Sequence, residues 1–233
     1  MGKHSDLAAA LVGLCILFGT TAVEAAEVGA VTQVQRTVYG VPPQGSQSVK
    51  REGDSVVFQE QLETVENSAA LIHFIDDSTL AIGAKSKVLI DAFVFDPAKA
   101  EGNALINISV GTLRFVTGQM PKGKTVIKTP TATLVLRGTD VTVHVHPDGT
   151  TDATVNEGHV DGHNDVANAD MAIAEGEGAT FGKGGNGGFN GTNPPTGPDG
   201  GGGPGDPPEH RRGDDSSPSQ QQGPGGSSIG PGN

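Results

Sequence analysis

The chain has very little cysteine: Cys15 is its only one, and it lies in the apolar run at residues 7–18. If that run is removed as a leader, the rest has no thiol, no disulfide and no cysteine-based metal site. Lipid attachment at Cys15 is not expected, because Leu14 stands where a small residue is needed. Positive charge is also scarce. Fifteen Lys and Arg stand against twenty-seven Asp and Glu, a formal net charge of -12. That balance argues against nucleic acid and anionic membrane surfaces, both of which are held through basic patches. It is consistent with solubility. No segment past the leader keeps a helical period, and residues 96–103 read as a loop or a single turn. After Phe181 aliphatic residues almost vanish while glycine and proline accumulate. Such a stretch cannot bury enough apolar surface to offset its ordering entropy and is expected to be disordered.

Three segments result: a signal peptide at residues 1–25, one folded domain at 26–181, and a Gly/Pro-rich tail at 182–233. Lys3 and His4 precede the apolar run, and Val23-Glu24-Ala25 has the small residues of a cleavage site. The run falls short of the roughly 20 residues of a spanning helix. An uncleaved anchor is the alternative, and no membrane span is expected after cleavage. The chain then works in the periplasm or outside the cell.

The folded segment shows short alternations of apolar and polar residues, with turn signals every eight to twelve positions. Ala70, Ile72 and Phe74 make one run, Leu80 and Ile82 the next. Ala104, Ile106, Ile108 and Val110 form the clearest, followed by Leu113 and Phe115. This is the pattern of an all-β domain. Asp76-Asp77-Ser78 and Pro147-Asp148-Gly149 read as hairpin turns. Glycines 53, 111, 158 and 176 each precede a strand-like alternation, at irregular spacing. A solenoid-like or sandwich-like fold with glycine corners fits this, without a fixed period.

Residues 127–158, IKTPTATLVLRGTDVTVHVHPDGTTDATVNEG, pose the sharpest problem. Ala132, Leu134 and Leu136 share one strand face, whereas Val141, Val143 and Val145 have the opposite parity. An unbroken strand would send one of these sets to solvent. Arg137-Gly138-Thr139 must reset the phase through a bulge or corner, with Gly138 taking a positive φ or allowing a close backbone approach. Arg137 should point outward. These three residues are the candidates for a structural corner or a binding surface.

The stretches EGDSVVFQEQLETVENSAALIHFIDDSTLAIG, LINISVGTLRF, VIKTPTATLVLRGTDVTVHVHPDGTTDATVNEGHV and AIAEGEGATF occur in that order. Together they resemble the FecR domain of bacterial envelope proteins, over about residues 27–181. Similar domains carry a Phe-x-Asp-x-Ser hairpin, a Val-Gly-x-Leu corner, Thr-Pro-x-Ala, Arg-Gly-Thr, an Asp-Gly turn and Glu-Gly-x-Val. The resemblance implies an all-β periplasmic domain. In the family's transmembrane regulators it relays a signal from a TonB-dependent receptor to a cytoplasmic sigma factor. Here only a few residues precede the apolar run, and a Gly/Pro-rich tail follows the domain. A stand-alone exported relative is expected, without that circuit.

The chemistry of the remaining candidates is modest. Asp76 and Asp77 sit in a turn and should be exposed, which leaves nothing to tune one acid against the other. His144 and His146 project from the strand face opposite Val143 and Val145, and His159 and His163 fall where a neighbouring strand could lie. Imidazoles on one face are plausible Zn or Cu ligands, and a solvated polar face is the plainer alternative. GKGGNGG lacks the strand, helix and Lys-Ser/Thr ending of a phosphate loop. No catalytic residue, cofactor or enzymatic activity is expected. The expected role is that of a monomeric module binding an envelope protein or other envelope component. A structural or surface-matrix protein is the alternative, and a histidine-based metal binder comes third. Intact-mass measurement of exported material should give a chain beginning near Ala26. Recovery of the full-length chain from the inner membrane would contradict the leader.

Overall fold

Apolar side chains at every second position make each segment half-buried, and the chain meets that demand with strands alone. The computed structural model describes residues 25–190 and contains no helix among them. The expected signal sequence, apart from its last residue, and the expected tail from 191 onward lie outside the described residues. The first strands are β1 (Glu27–Gln35), β2 (Val38–Val41), β3 (Ser48–Val49), β4 (Ser55–Val57), β5 (Gln61–Thr64) and β6 (Ala69–Phe74). There follow β7 (Thr79–Ile82), β8 (Lys87–Asp96), β9 (Glu101–Val116), β10 (Thr125–Lys128), β11 (Ala132–Leu136) and β12 (Asp140–Val145). The last are β13 (Thr151–Glu157), β14 (His159–Asn164), β15 (Ala169–Ala174), β16 (Glu177–Gly182) and β17 (Gly185–Asn190). β17 pairs with β16 along its length, so the strand ladder continues past the boundary expected at residue 181.

Hydrogen bonding arranges the strands in two layers. Sheet A runs β4-β1-β6-β7-β9-β12-β13-β16-β17. Sheet B runs β3-β2-β5-β8-β9-β10-β11-β14-β15. β9 belongs to both. Its first part lies between β8 and β10, the latter parallel to it, and its last part between β7 and β12. The bend falls at Gly111, φ 98°. The inward set on β9 accordingly changes parity, from Ala104, Ile106 and Ile108 to Leu113 and Phe115, all buried. Val110, read from sequence as a member of the run, is only half-buried because the corner begins there.

One core lies between the layers. Phe74 of sheet A stacks on Phe93 of sheet B, with ring centroids 4.3 Å apart, and meets Phe115 at 6.1 Å. Corners between the sheets turn on a left-handed residue. Glycines 53, 111, 158 and 176 serve this purpose as expected, but so do Arg36, Gln59, Asn67 and Lys85. Those four corners carry no glycine signal.

Asp76 corrects the expectation of an exposed acid pair. It is fully buried, whereas Asp77 carries φ 63° at the exposed tip of the β6–β7 hairpin. The Asp76 carboxylate accepts from the Ser78 N–H at 3.0 Å, the Ser78 hydroxyl at 2.7 Å and the Met120 N–H at 3.2 Å. The Ser78 Oγ in turn accepts from the Gly118 N–H, and the Asp76 carbonyl from the Gln119 N–H. The Phe-x-Asp-x-Ser hairpin is thus a clamp on the chain leaving β9. Removing a buried acceptor leaves its donors unpaired. Asp76→Ala should therefore lower unfolding free energy by about 2–4 kcal/mol, whereas Asp77→Gly should change it by less than about 1 kcal/mol. Urea titration of both variants checks this, and equal losses would contradict the clamp.

Candidate functional site

The Arg137-Gly138-Thr139 segment carries the chain from β11 in sheet B to β12 in sheet A. Gly138 has φ 73°, and a Cβ there would meet nothing nearer than the Lys122 side chain, at 3.5 Å. The backbone angle, not crowding, therefore calls for glycine. Its neighbour across the corner, Gly158, has both constraints: φ 85°, and a Cβ that would sit 2.1 Å from the Gly138 carbonyl oxygen. With the corner in place, Ala132, Leu134 and Leu136 and then Val141, Val143 and Val145 all face the core.

Thr139 is buried and architectural. Its hydroxyl donates to the His159 carbonyl at 2.9 Å and accepts from the Arg137 N–H at 3.1 Å. Its N–H donates to the Thr117 hydroxyl, and that hydroxyl donates back to the Thr139 carbonyl at 3.0 Å. Arg137 points outward as expected. Its Nε donates to Asp161 at 2.5 Å, and His159 reaches the other carboxylate oxygen at 3.0 Å. The Arg137 guanidinium foremost, with His159 helping, holds the Asp161 carboxyl below its usual range. Of the three, Arg137 and Gly138 are exposed and Thr139 is not.

The histidines divide between the layers. His144 and His146 project from sheet A, their rings in edge contact at 4.4 Å. His144 Nδ1 bonds the Thr112 hydroxyl at 2.6 Å. His146 Nε2 bonds buried Asp152 at 2.7 Å, whose second oxygen accepts from Thr180. His159 and His163 lie on β14 in sheet B, so they do not join the first pair. The reason is the corner at Gly158, which carries the chain from β13 to the opposite layer. Among the described residues no group of three or more His, Cys, Asp or Glu is placed to hold a metal ion. Burial, and then the neighbouring His146, pull the pKa of His144 below its ordinary 6.5, with Asp152 opposing.

A groove of about 420 Å³ lies on the outer face of sheet B, over β11, β14 and β15. Side chains on β14 create it by leaning apart. Asp161 turns toward Arg137 and His159, while His163 turns toward Asp170 at 2.7 Å and Asp165 at 3.9 Å. Val135 and Ala172 supply its apolar side chains, while the Met171 side chain packs inward against the core. Sequence reading missed it, because β15 presents only small outward residues and the groove depends on strand order. The alternation His159-Asp161-His163 was its one local sign.

Two layers, a shared bent strand and left-handed corners closed by short polar side chains define an all-β module. The family model described as FecR protein matches residues 60–161, from the start of β5 to the middle of β14. Over those residues the chain is similar to the FecR family. Strands β1–β4 and β15–β17 lie outside that match. Two crystal structures, each titled as one of an anti-sigma factor, so named provisionally, from Parabacteroides distasonis ATCC 8503, are similar to this chain. The 2.50 Å structure has a TM-score of 0.46 at 15% identity, and the 1.65 Å structure 0.45 at 13%. Each alignment covers 56% of this chain and 59% of the other, so this chain spans well under two thirds of those proteins. Comparison with curated proteins finds no match.

Two outcomes follow. Gly138→Ala should cost about 1–2 kcal/mol through its positive φ, and Arg137→Lys less than about 0.5 kcal/mol, by urea titration. A Gly138→Ala variant as stable as the parent would contradict the corner. The second concerns pH. His144 has a depressed folded pKa, so protonation favours the unfolded chain. Its contribution is complete above the ordinary value of 6.5 and is lost as pH falls past it and through the folded value. Melting curves between pH 8 and pH 5 should therefore show His144→Gln losing less on acidification than the parent. Parallel curves would contradict the assignment.

Proposed function

We propose that this chain is an exported, monomeric, non-enzymatic module that engages a protein of the bacterial envelope and serves regulation there. The FecR match over residues 60–161 carries this reading. The surface chemistry is consistent with it. The outward histidines and carboxylates of β12 and β14 are engaged in hydrogen-bonded pairs, the arrangement of a structured recognition surface. The leader-like residues 1–25 support a periplasmic or secreted location. Among the described residues no helix is long and apolar enough to cross a membrane. The Gly/Pro-rich stretch beyond residue 190 favours a second reading, an envelope or surface-matrix protein in which that stretch is a spacer or assembly segment.

The test is affinity capture from an envelope extract with the full exported chain as bait, followed by sedimentation of the purified chain alone. A stoichiometric protein partner and a monomeric bait are expected. Concentration-dependent self-assembly without a partner would overturn the binding reading in favour of the matrix one.

A further inference from the structure

The alternation of backbone groups identifies what the end of sheet B offers. On β14, odd-numbered residues face β11: the His159 carbonyl accepts from the Arg137 N–H, and the Asp165 N–H beyond the strand donates to the Thr131 carbonyl. Even-numbered residues therefore face β15, where Val160, Gly162 and Asn164 stand opposite Ile173, Met171 and Ala169. The backbone groups of Asp170, Ala172 and Ala174 then point away from the sheet. Glu177 takes the Ala174 N–H at 3.1 Å. Asp170 and Ala172 keep their N–H and carbonyl groups directed at solvent. Among the described residues β15 has no second strand partner.

This edge differs from the other edge of its sheet. β3 is two residues long and runs into Lys50, a short and charged edge that resists pairing. β15 is six residues long, regular in register, without lysine or proline, and its outward side chains are Asp170, Ala172 and Ala174. The groove lies immediately behind Ala172 on the same face. A methyl group is a low barrier, so a large side chain standing opposite Ala172 on an added strand can lean over it onto the near side of the groove. Along the edge segment itself the charges have one sign. Residues 164–181 contain Asp165, Asp170, Glu175 and Glu177 and no lysine or arginine, and all four acids are exposed. A second copy of this chain would bring four carboxylates against four, whereas a cationic strand would complement them.

We propose that the free edge of β15 is a strand-addition site for an extended basic segment of a partner protein. The segment sets an apolar side chain opposite Ala172, into the groove, and Lys or Arg two residues to either side, against the acidic rim. Backbone pairing supplies the affinity and the groove with its rim the selectivity. This rests on the reading of the chain as a binding module and names the surface and the partner's chemistry.

The probe is an acetylated seven-residue peptide, Thr-Lys-Thr-Leu-Thr-Lys-Thr, titrated into the isotope-labelled exported chain and followed by amide chemical shifts. Shifts centred on residues 170–174 are expected, with binding at least about tenfold weaker when both lysines are replaced by glutamate. Ala172→Pro removes an outward N–H without touching the β14 ladder and should also weaken binding at least about tenfold. Should its melting temperature fall, Ala172→Arg keeps the backbone, covers the groove and should give the same loss. Shifts elsewhere, or equal affinity for parent and both variants, would overturn the proposal. A dimer that either variant abolishes would overturn the basic occupant in favour of a second copy. A stoichiometric envelope partner retained undiminished by both variants would overturn the edge site while leaving the binding reading standing. No partner and no peptide shifts would remove both.

Discussion

Everything in this fold depends on turning a half-buried strand from one layer to the other without sending its apolar side chains to water. Strand side chains alternate with period two, so a corner of the wrong length exposes the next strand's whole inward set. A left-handed residue at the corner reverses the local twist of the chain and restores the inward parity. At Gly138, Gly158 and Gly111 glycine makes this cheap. At Arg36, Gln59, Asn67 and Lys85 an L residue takes the same conformation at a cost of roughly 1–2 kcal/mol each. Burial of the following strand offsets that cost, since each fully buried Val, Leu or Ile contributes about 1.5–3 kcal/mol.

The corners are closed by short polar side chains, which explains why so many of these are buried. Thr139 and Thr117 exchange hydrogen bonds across the exit of β9 and the start of β12. Thr64 and Ser86 do the same where β5 and β8 meet their corners: the Ser86 N–H donates to the Thr64 hydroxyl, and the Ser86 Oγ accepts from the Thr112 N–H beside Gly111. Asp76 ties a hairpin to the chain leaving β9. Every such clamp satisfies backbone groups that have left one ladder and not yet entered the next. The family motifs read from the sequence, Phe-x-Asp-x-Ser, Val-Gly-x-Leu and Arg-Gly-Thr, are these clamps and corners.

The phase change between Leu136 and Val141 was legible because both valine and leucine sets are long enough to show parity, and the glycine between them has few other uses. The all-β class followed from the same alternation. Burial of Asp76 was not legible, because it results from Met120 and Gly118 docking from a segment some forty residues away. The corners at Arg36, Gln59, Asn67 and Lys85 were hidden because tertiary packing overrides local preference there. The separation of His144 and His146 from His159 and His163 required knowing that Gly158 carries the chain to the opposite sheet. The groove beside β15 was invisible for a related reason. It joins β11, β14 and β15 through strand order, and its key residue, Ala172, is notable only for being small.

The functional consequence is a division of labour between residue types. Glycine, threonine and buried aspartate hold the corners, while the outer face of sheet B carries Arg137, Asp161 and His163 beside a groove. The most direct test of the corner account replaces Gly138 by D-alanine through semisynthesis and measures urea stability beside the glycine parent. D-alanine prefers positive φ and restricts the unfolded chain, so the account predicts a gain of about 0.4–1 kcal/mol. A loss, of the size that L-alanine gives at the same position, would contradict it.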